Sequence, residues 1–209
     1  MELIKQLNWR YATKHFDASK KINTNDLNTL LDAVNLAPTS YGLQPFKVLV
    51  VEDENKKQKL KEAGYQQPQF TEASHIILLA AKNNISETDV DEFMNRIAKA
   101  RNLEVEDLAE YKNMMLAKIN SATDEGLTAW ASKQCYIALG FLLYTAAQLS
   151  IDACPMEGFD SESFDDILGL KEKNLKSVVL ATVGYRSKED KYQSLAKVRY
   201  DLDDLVIKY

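Results

Sequence analysis

The chain has 209 residues, of which 45% are hydrophobic and 27% charged, with 26 basic against 31 acidic side chains and a net charge of −5. That balance excludes a disordered chain and broad electrostatic capture of nucleic acid, while leaving room for a local basic pocket. About 70% of the extended-chain surface is buried at this size, enough for one substantial core. No repeat or low-complexity linker interrupts the sequence, so one domain over residues 1–209 is the default. The first ten residues, MELIKQLNWR, lack a signal peptide's apolar core, and a cytoplasmic protein is expected. Cys135, Cys154, His15 and His75 show no metal-ligand spacing, and no metal is expected.

Leu3, Ile4, Leu7 and Tyr11 predict a first helix. Leu27, Leu30, Leu31 and Val34 predict a second, capped by Asn23 or Thr24, favoured by Asp26 and stopped by Pro38. Thr39 to Pro45 reads as a loop. Val48–Val51, Ile76–Ala81 and Ser177–Val183 read as strands, with Lys56–Ala63 a helix between the first two. The strands are apolar runs without alternation, so helices should cover both faces of the sheet.

Residues 90–119 carry helical spacing in a polar background (Leu103, Leu108, Met114, Met115) and predict a lid-like helical excursion. Ala129–Leu149 reads as a helix apolar on nearly every side, with Lys133 its only charge. Ser132, Lys133, Gln134 and Gln148 speak against a membrane span, and the spine of a protein core, or of a core completed by a second subunit, is the better reading. Cys154-Pro-Met-Glu-Gly158 reads as a loop in which Gly158 permits unusual backbone geometry; it is either a ligand-facing loop or a plain rigid turn.

The familiar motifs of triad hydrolases, zinc peptidases, P-loops and Rossmann domains are absent. What remains is basic residues near the two ends: Arg10, Lys14 and His15, then Lys197 and Arg199. Either Arg10 and Arg199 each fork onto a phosphate monoester, with Lys197 as a point charge, or these residues form a solvated face with surface salt bridges.

Together these segments resemble the nitroreductase family. The resemblance is carried in order by Arg10-Tyr-Ala-Thr-Lys14-His-Phe-Asp17, Ala37-Pro-Thr-Ser-Tyr-Gly-Leu-Gln-Pro-Phe46, Ala73-Ser-His75, Trp130-Ala-Ser-Lys-Gln134, Pro155-Met-Glu-Gly-Phe159 and Lys197-Val-Arg199, across essentially the whole chain. It implies an α+β fold with a central mixed sheet flanked by helices, in an intertwined homodimer binding two FMN at the interface. The C-terminal segment would cross onto the partner, and a monomer alone would be poorly folded.

The resemblance also implies roles. Arg10, Lys197 and Arg199 would hold the FMN phosphate, with Tyr11 and Ala12 at neighbouring contact positions. Lys14 would approach the flavin N1–C2=O edge and stabilise the negative charge of the reduced ring. Gln66 and Gln69 would contact the ribityl chain and pyrimidine edge; where relatives carry Lys, Gln69 removes a charge and should lower the reduction potential. Thr39, Ser40 and Gly42 would reach the flavin of the other subunit, with a lost contact and a wider pocket at Gly42. Gln134 would make a further phosphate-side or ribityl contact. Pro155, Met156, Glu157 and Gly158 would pack on the ring, with the N–H groups of Glu157 and Gly158 aimed at N5 and O4, so no catalytic side chain is expected.

The implied activity is FMN-dependent oxidation of NADH or NADPH, coupled by ping-pong transfer of two electrons to nitroaromatics, quinones or similar planar acceptors. Tyr65, Met115, Leu116 and Trp130, with Met114 nearby, would select the substrate, although the Met pair equally suits core filling. The alternatives are a dehalogenase or flavin-cleaving synthase on the same fold, a non-catalytic FMN-binding storage protein, and a cofactor-free dimeric structural protein.

Overall fold

The computed structural model describes residues 2–209. Its sheet has four strands, β1 (Phe46–Val51), β2 (His75–Lys82), β3 (Asp152–Met156) and β4 (Leu175–Gly184), in the order β1-β2-β4-β3. All three neighbouring pairs are antiparallel, with a register shift at Leu79/Ala80 between β2 and β4. Among the described residues parallel pairing enters only through the isolated bridge between Ala12 and Ala153, which lays the N-terminal segment along the open edge of β3.

Every residue from His75 to Ala81 is buried, as the unalternating run of Ile and Leu requires. Ile77 and Leu79 face one core with Leu30, Val34 and Leu142; Ile76 and Leu78 face a second with Phe70, Phe164 and Leu60. Helices α2 (Thr24–Asn35) and α7 (Asp124–Gln148) contribute to the first core, and α3 (Glu54–Ala63) and α8 (Ser161–Leu168) to the second. The sheet is thus covered on both faces.

Helix boundaries follow their caps. Asn23 Oδ1 accepts from Asp26 N–H at 2.9 Å and starts α2; Asp53 Oδ1 accepts from Lys56 N–H at 2.8 Å and starts α3. Helix α1 (Glu2–Trp9) stops before Tyr11, because the chain there turns to meet β3. The 90–119 region resolves into α5 (Glu87–Arg101), a 3-10 turn at Val105–Leu108 and α6 (Ala109–Asn120). Asn102, left-handed at φ 54°, ends α5.

Cys154, Pro155 and Met156 belong to β3 and do not form a loop. Pro155 is tolerated because β3 is the edge strand, where a missing N–H breaks no ladder. Gly158 does not adopt the unusual backbone geometry expected of it. Its φ is not positive, and an added Cβ would meet only Gln67 Nε2, at 3.8 Å.

Helix α7 starts earlier than its apolar run, at Thr123, whose hydroxyl accepts from Gly126 N–H. One face, with Ala131, Cys135, Ala138, Leu142 and Ala146, is buried; the other exposes Tyr136, Ile137, Phe141 and Tyr144. The C-terminal tail is also apolar and exposed, Val198 at 84% and Ile207 at 76%. Among the described residues no helix is long and apolar enough to cross a membrane.

Candidate functional site

Past Trp9, the segment Arg10–Phe16 runs between β3 and the chain that follows β4. Thr13 N–H donates to Ala153 O at 3.4 Å, and Phe16 bridges to Arg186. The Arg186 guanidinium lies 4.2 Å from the Trp9 ring and 4.6 Å from the Tyr11 ring, while its Nε donates to Asp152 Oδ1 at 2.7 Å. Asp190 fixes the same segment from the other side. One carboxylate oxygen accepts from Lys14 N–H (2.8 Å), His15 N–H (3.2 Å) and the Tyr11 hydroxyl (3.0 Å), and the other from Tyr192 N–H (3.0 Å). Burial alone would raise the Asp190 carboxyl, but these donors bring it below the ordinary range.

Asp190 thereby ties the two ends of the polypeptide together. The tail folds over Arg10, whose carbonyl accepts from Lys197 Nζ. The result is a cavity of about 380 Å³ walled in part by Arg10, Tyr11, Ala12, Lys14, Lys197 and Arg199. Arg10 and Lys197 are both held below their ordinary pKa values by burial and by neighbouring positive charge, Arg199 acting on each. Among the described residues none of these three cations has a carboxylate partner, and Arg10 Nε is buried with no hydrogen bond. Unpaired cations crowded around a concave surface are a site for a multiply charged anion.

Farther along the same segment, Lys14 Nζ lies 3.9 Å from Cys154 Sγ, and Gln69 Nε2 lies 4.0 Å from the same sulfur. Gln69 Oε1 is buried without a partner. Burial pushes the Cys154 thiol up, with Lys14 and Gln69 opposing. Gln69 sits in a short helix, α4 (Gln69–Glu72), after a turn in which Tyr65 (φ 57°) and Gln66 (φ 58°) are both left-handed and exposed. Gln67 locks that turn to the end of β3, its Nε2 donating to Gly158 O at 2.7 Å. Burial, and after it the Glu157 carboxylate just beyond β3, push the Tyr136 phenol up to about 12, so it stays protonated.

Thr39, Ser40, Gly42 and Gln134 form a separate group. Ser40 N–H donates to Gln134 Oε1 and Gln134 Nε2 to Trp130 O, both at 2.9 Å, so that amide is engaged by its own chain. Thr39 Oγ1 accepts from Gln44 N–H, and Tyr111 OH donates to Tyr41 O at 2.8 Å. Tyr41 (φ 58°), Gly42 (φ 76°) and Gln44 (φ 52°) are all left-handed, a strained turn held by these bonds. A Cβ on Gly42 would lie 3.1 Å from the Phe93 ring, so a side chain there would press on Phe93.

Behind this turn lies a second cavity of about 320 Å³, lined by Tyr41, Leu43, Met115 and Trp130 among others. Leu116 is only partly buried, packed on the first core, and does not line it. Tyr65 lies away from it, beside Lys59 and Asp160.

Asp190, Arg186, Asp152 and Gln67 carry no signal in the sequence. Each works through a partner distant along the chain, such as Asp190 with Tyr11 across 179 positions.

The model of the family described as "Nitroreductase family" matches residues 7–185. A Staphylococcus saprophyticus protein with a provisional NAD(P)H nitroreductase name is 37% identical over 213 residues, covering 98% of this chain and 95% of the relative. The chain belongs to the nitroreductase family. The family member called major NAD(P)H-flavin oxidoreductase in Aliivibrio fischeri is 32% identical over 211 residues, covering 98% and 97%. A crystal structure of an Exiguobacterium sibiricum protein in complex with FMN superposes with a TM-score of 0.84 at 18% identity, covering 100% of this chain and 98% of that one, and shares the fold.

Proposed function

We propose that this nitroreductase-family chain is an FMN-dependent NAD(P)H oxidoreductase that reduces nitroaromatics, quinones or similar planar acceptors, working as a homodimer. The observation that carries the reading is the unpaired trio Arg10, Lys197 and Arg199 around one cavity. A phosphate monoester brings roughly two negative charges to those three cations. The buried, unpartnered Arg10 Nε and Gln69 Oε1 fit a cofactor with a phosphate at one end and a polar ring edge at the other. The A. fischeri and E. sibiricum relatives, one named for flavin and the other solved with FMN, support the same choice.

When bound, FMN supplies the hydride-accepting and hydride-donating centre. The residues of this chain would do the rest. Arg10, Lys197 and Arg199 anchor the phosphate; Asp190 and Arg186 hold the segment bearing Arg10 and Lys14 in one conformation before binding. Lys14 places a positive charge over the Cys154–Gln69 side of the site, where negative charge on a ring edge is stabilised. The end of β3, with Pro155, Met156, Glu157 and Gly158, gives a backbone surface braced by Gln67. No carboxylate or imidazole is needed as a general base.

The exposed apolar face of α7 and the apolar tail from Val198 to Ile207 support a second subunit covering them. The Thr39–Gly42 turn would then serve the partner's cofactor. The test is steady-state NADH or NADPH oxidation by the purified yellow protein with menadione as acceptor. Turnover supports the oxidoreductase; a protein that binds FMN without turnover is a flavin store.

A further inference from the structure

We propose that the cavity between α6 and α7 takes an acceptor with a flat or elongated apolar body ending in a carboxylate, which Lys118 and Lys133 receive at the mouth. The use made of the ligand rests on the oxidoreductase reading; the pocket itself is read from this chain alone. Its volume, about 320 Å³, suits a small organic molecule. The walls are apolar: Met115, Ile119 and Leu127 are buried, and the Tyr41 and Trp130 rings stand 6.4 Å apart at 56°. The Tyr41 wall is fixed, because its left-handed turn is held by the Tyr111 hydroxyl and by Gln134 through Ser40.

Among the described residues the only charged ones lining this cavity are Lys118 and Lys133, and no Asp or Glu joins them. Lys133 is also the only charge between Ala129 and Leu149, a position where the surrounding sequence is apolar. Neither has a carboxylate partner among the described residues. Lys112, on the same helix as Lys118, behaves differently: it pairs with Glu87 at 2.9 Å and Asp91 at 2.6 Å and fastens α6 to α5. Asp124 and Glu125, in the first turn of α7, do not line the cavity. An apolar cavity with two unneutralised ammonium groups selects an acid over its neutral ester, because the ester buries the same surface without meeting the charge.

The test is equilibrium dialysis of the oxidised FMN-loaded protein against 4-nitrobenzoate and against methyl 4-nitrobenzoate, with no nucleotide present. The acid should bind more tightly by roughly three- to ten-fold, the range for two partly exposed ion pairs, and the preference should shrink as salt rises. Lys118→Ala with Lys133→Ala should weaken the acid at least three-fold more than the ester, and Lys118→Arg with Lys133→Arg should restore the preference. Equal binding of acid and ester by the parent overturns the proposal, as does a double variant that weakens both alike. A loss confined to the KM for NADPH, with acid binding intact, gives the lysines to the nucleotide and also overturns it. Failure of the parent to reduce menadione counts against the oxidoreductase reading separately.

Discussion

Lys14 Nζ points at Cys154 Sγ from 3.9 Å, joining a segment next to α1 to the edge strand β3 across 140 positions. The contact puts a cation beside a thiol that burial keeps protonated. At neutral pH Cys154 should therefore alkylate slowly, and slower still in Lys14→Met, where the opposing positive charge is gone. Iodoacetamide labelling followed by mass spectrometry checks this; faster labelling in the variant contradicts it. In the FMN-loaded protein the same substitution should lower the flavin reduction potential, measured by dye equilibration.

Asp190 supplies the next prediction. Replacing it with Asn keeps the size but removes the charge that four donors share, at a cost of about 2 kcal/mol of stability. Affinity for FMN should fall more than affinity for riboflavin, since the segment that Asp190 holds carries Arg10 for the phosphate as well as Lys14 for the ring edge. An equal loss for both would make Asp190 a general prop of the fold.

The pH dependence has a definite sign. The Asp190 carboxyl lies below its ordinary value, so its contribution is complete above the unfolded pKa near 4 and is lost as pH falls through the lower folded value. An Asp190→Asn variant should lose stability relative to the parent at pH 7 and converge with it in acid. Urea titrations across that range give the comparison.

The sheet centre was readable because β2 is apolar throughout, and α2 because Asn23 caps a clean helical stripe. β3 was not, since Pro155 and Gly158 are residues of turns and only an edge position makes a strand compatible with Pro155. The periodicity that placed Tyr11 on α1 was overridden by its hydrogen bond to Asp190 and its stacking on Arg186. At the site, the four basic residues were legible through the motifs around them, and the structure gathers them at one cavity. Asp190, Arg186 and Asp152 were invisible, because nothing local marks a carboxylate as the partner of a distant N–H. Tyr65 was legible only through the motif around it; its left-handed, exposed place in the turn before α4 carries no periodic signal.

Gly64 should resist substitution. A Cβ there would sit 2.2 Å from Phe70 Cε2 and 2.9 Å from Leu60 O, inside the second core. Gly64→Ala should cost about 1–3 kcal/mol through overpacking and disturb the turn leading to Gln69. Gly140 is the contrast: its Cβ would meet nothing within 4 Å in this chain, on the exposed side of α7. Gly140→Leu should leave secondary structure intact but shift the protein from dimer toward monomer or aggregate in light scattering. An unchanged dimer places the subunit contact elsewhere.

The central claim is that Arg10, Lys197 and Arg199 wait unpaired for the phosphate of FMN. The most direct measurement is the affinity of the apoprotein and of Arg199→Ala for FMN and for riboflavin, with thermal unfolding recorded in both states. Arg199→Ala should bind FMN about 10- to 100-fold more weakly while riboflavin changes little. The apo variant should be no less stable than the parent, because one of three repelling cations is gone. Equal affinity for FMN in parent and variant, or equal binding of FMN and riboflavin by the parent, would contradict the account.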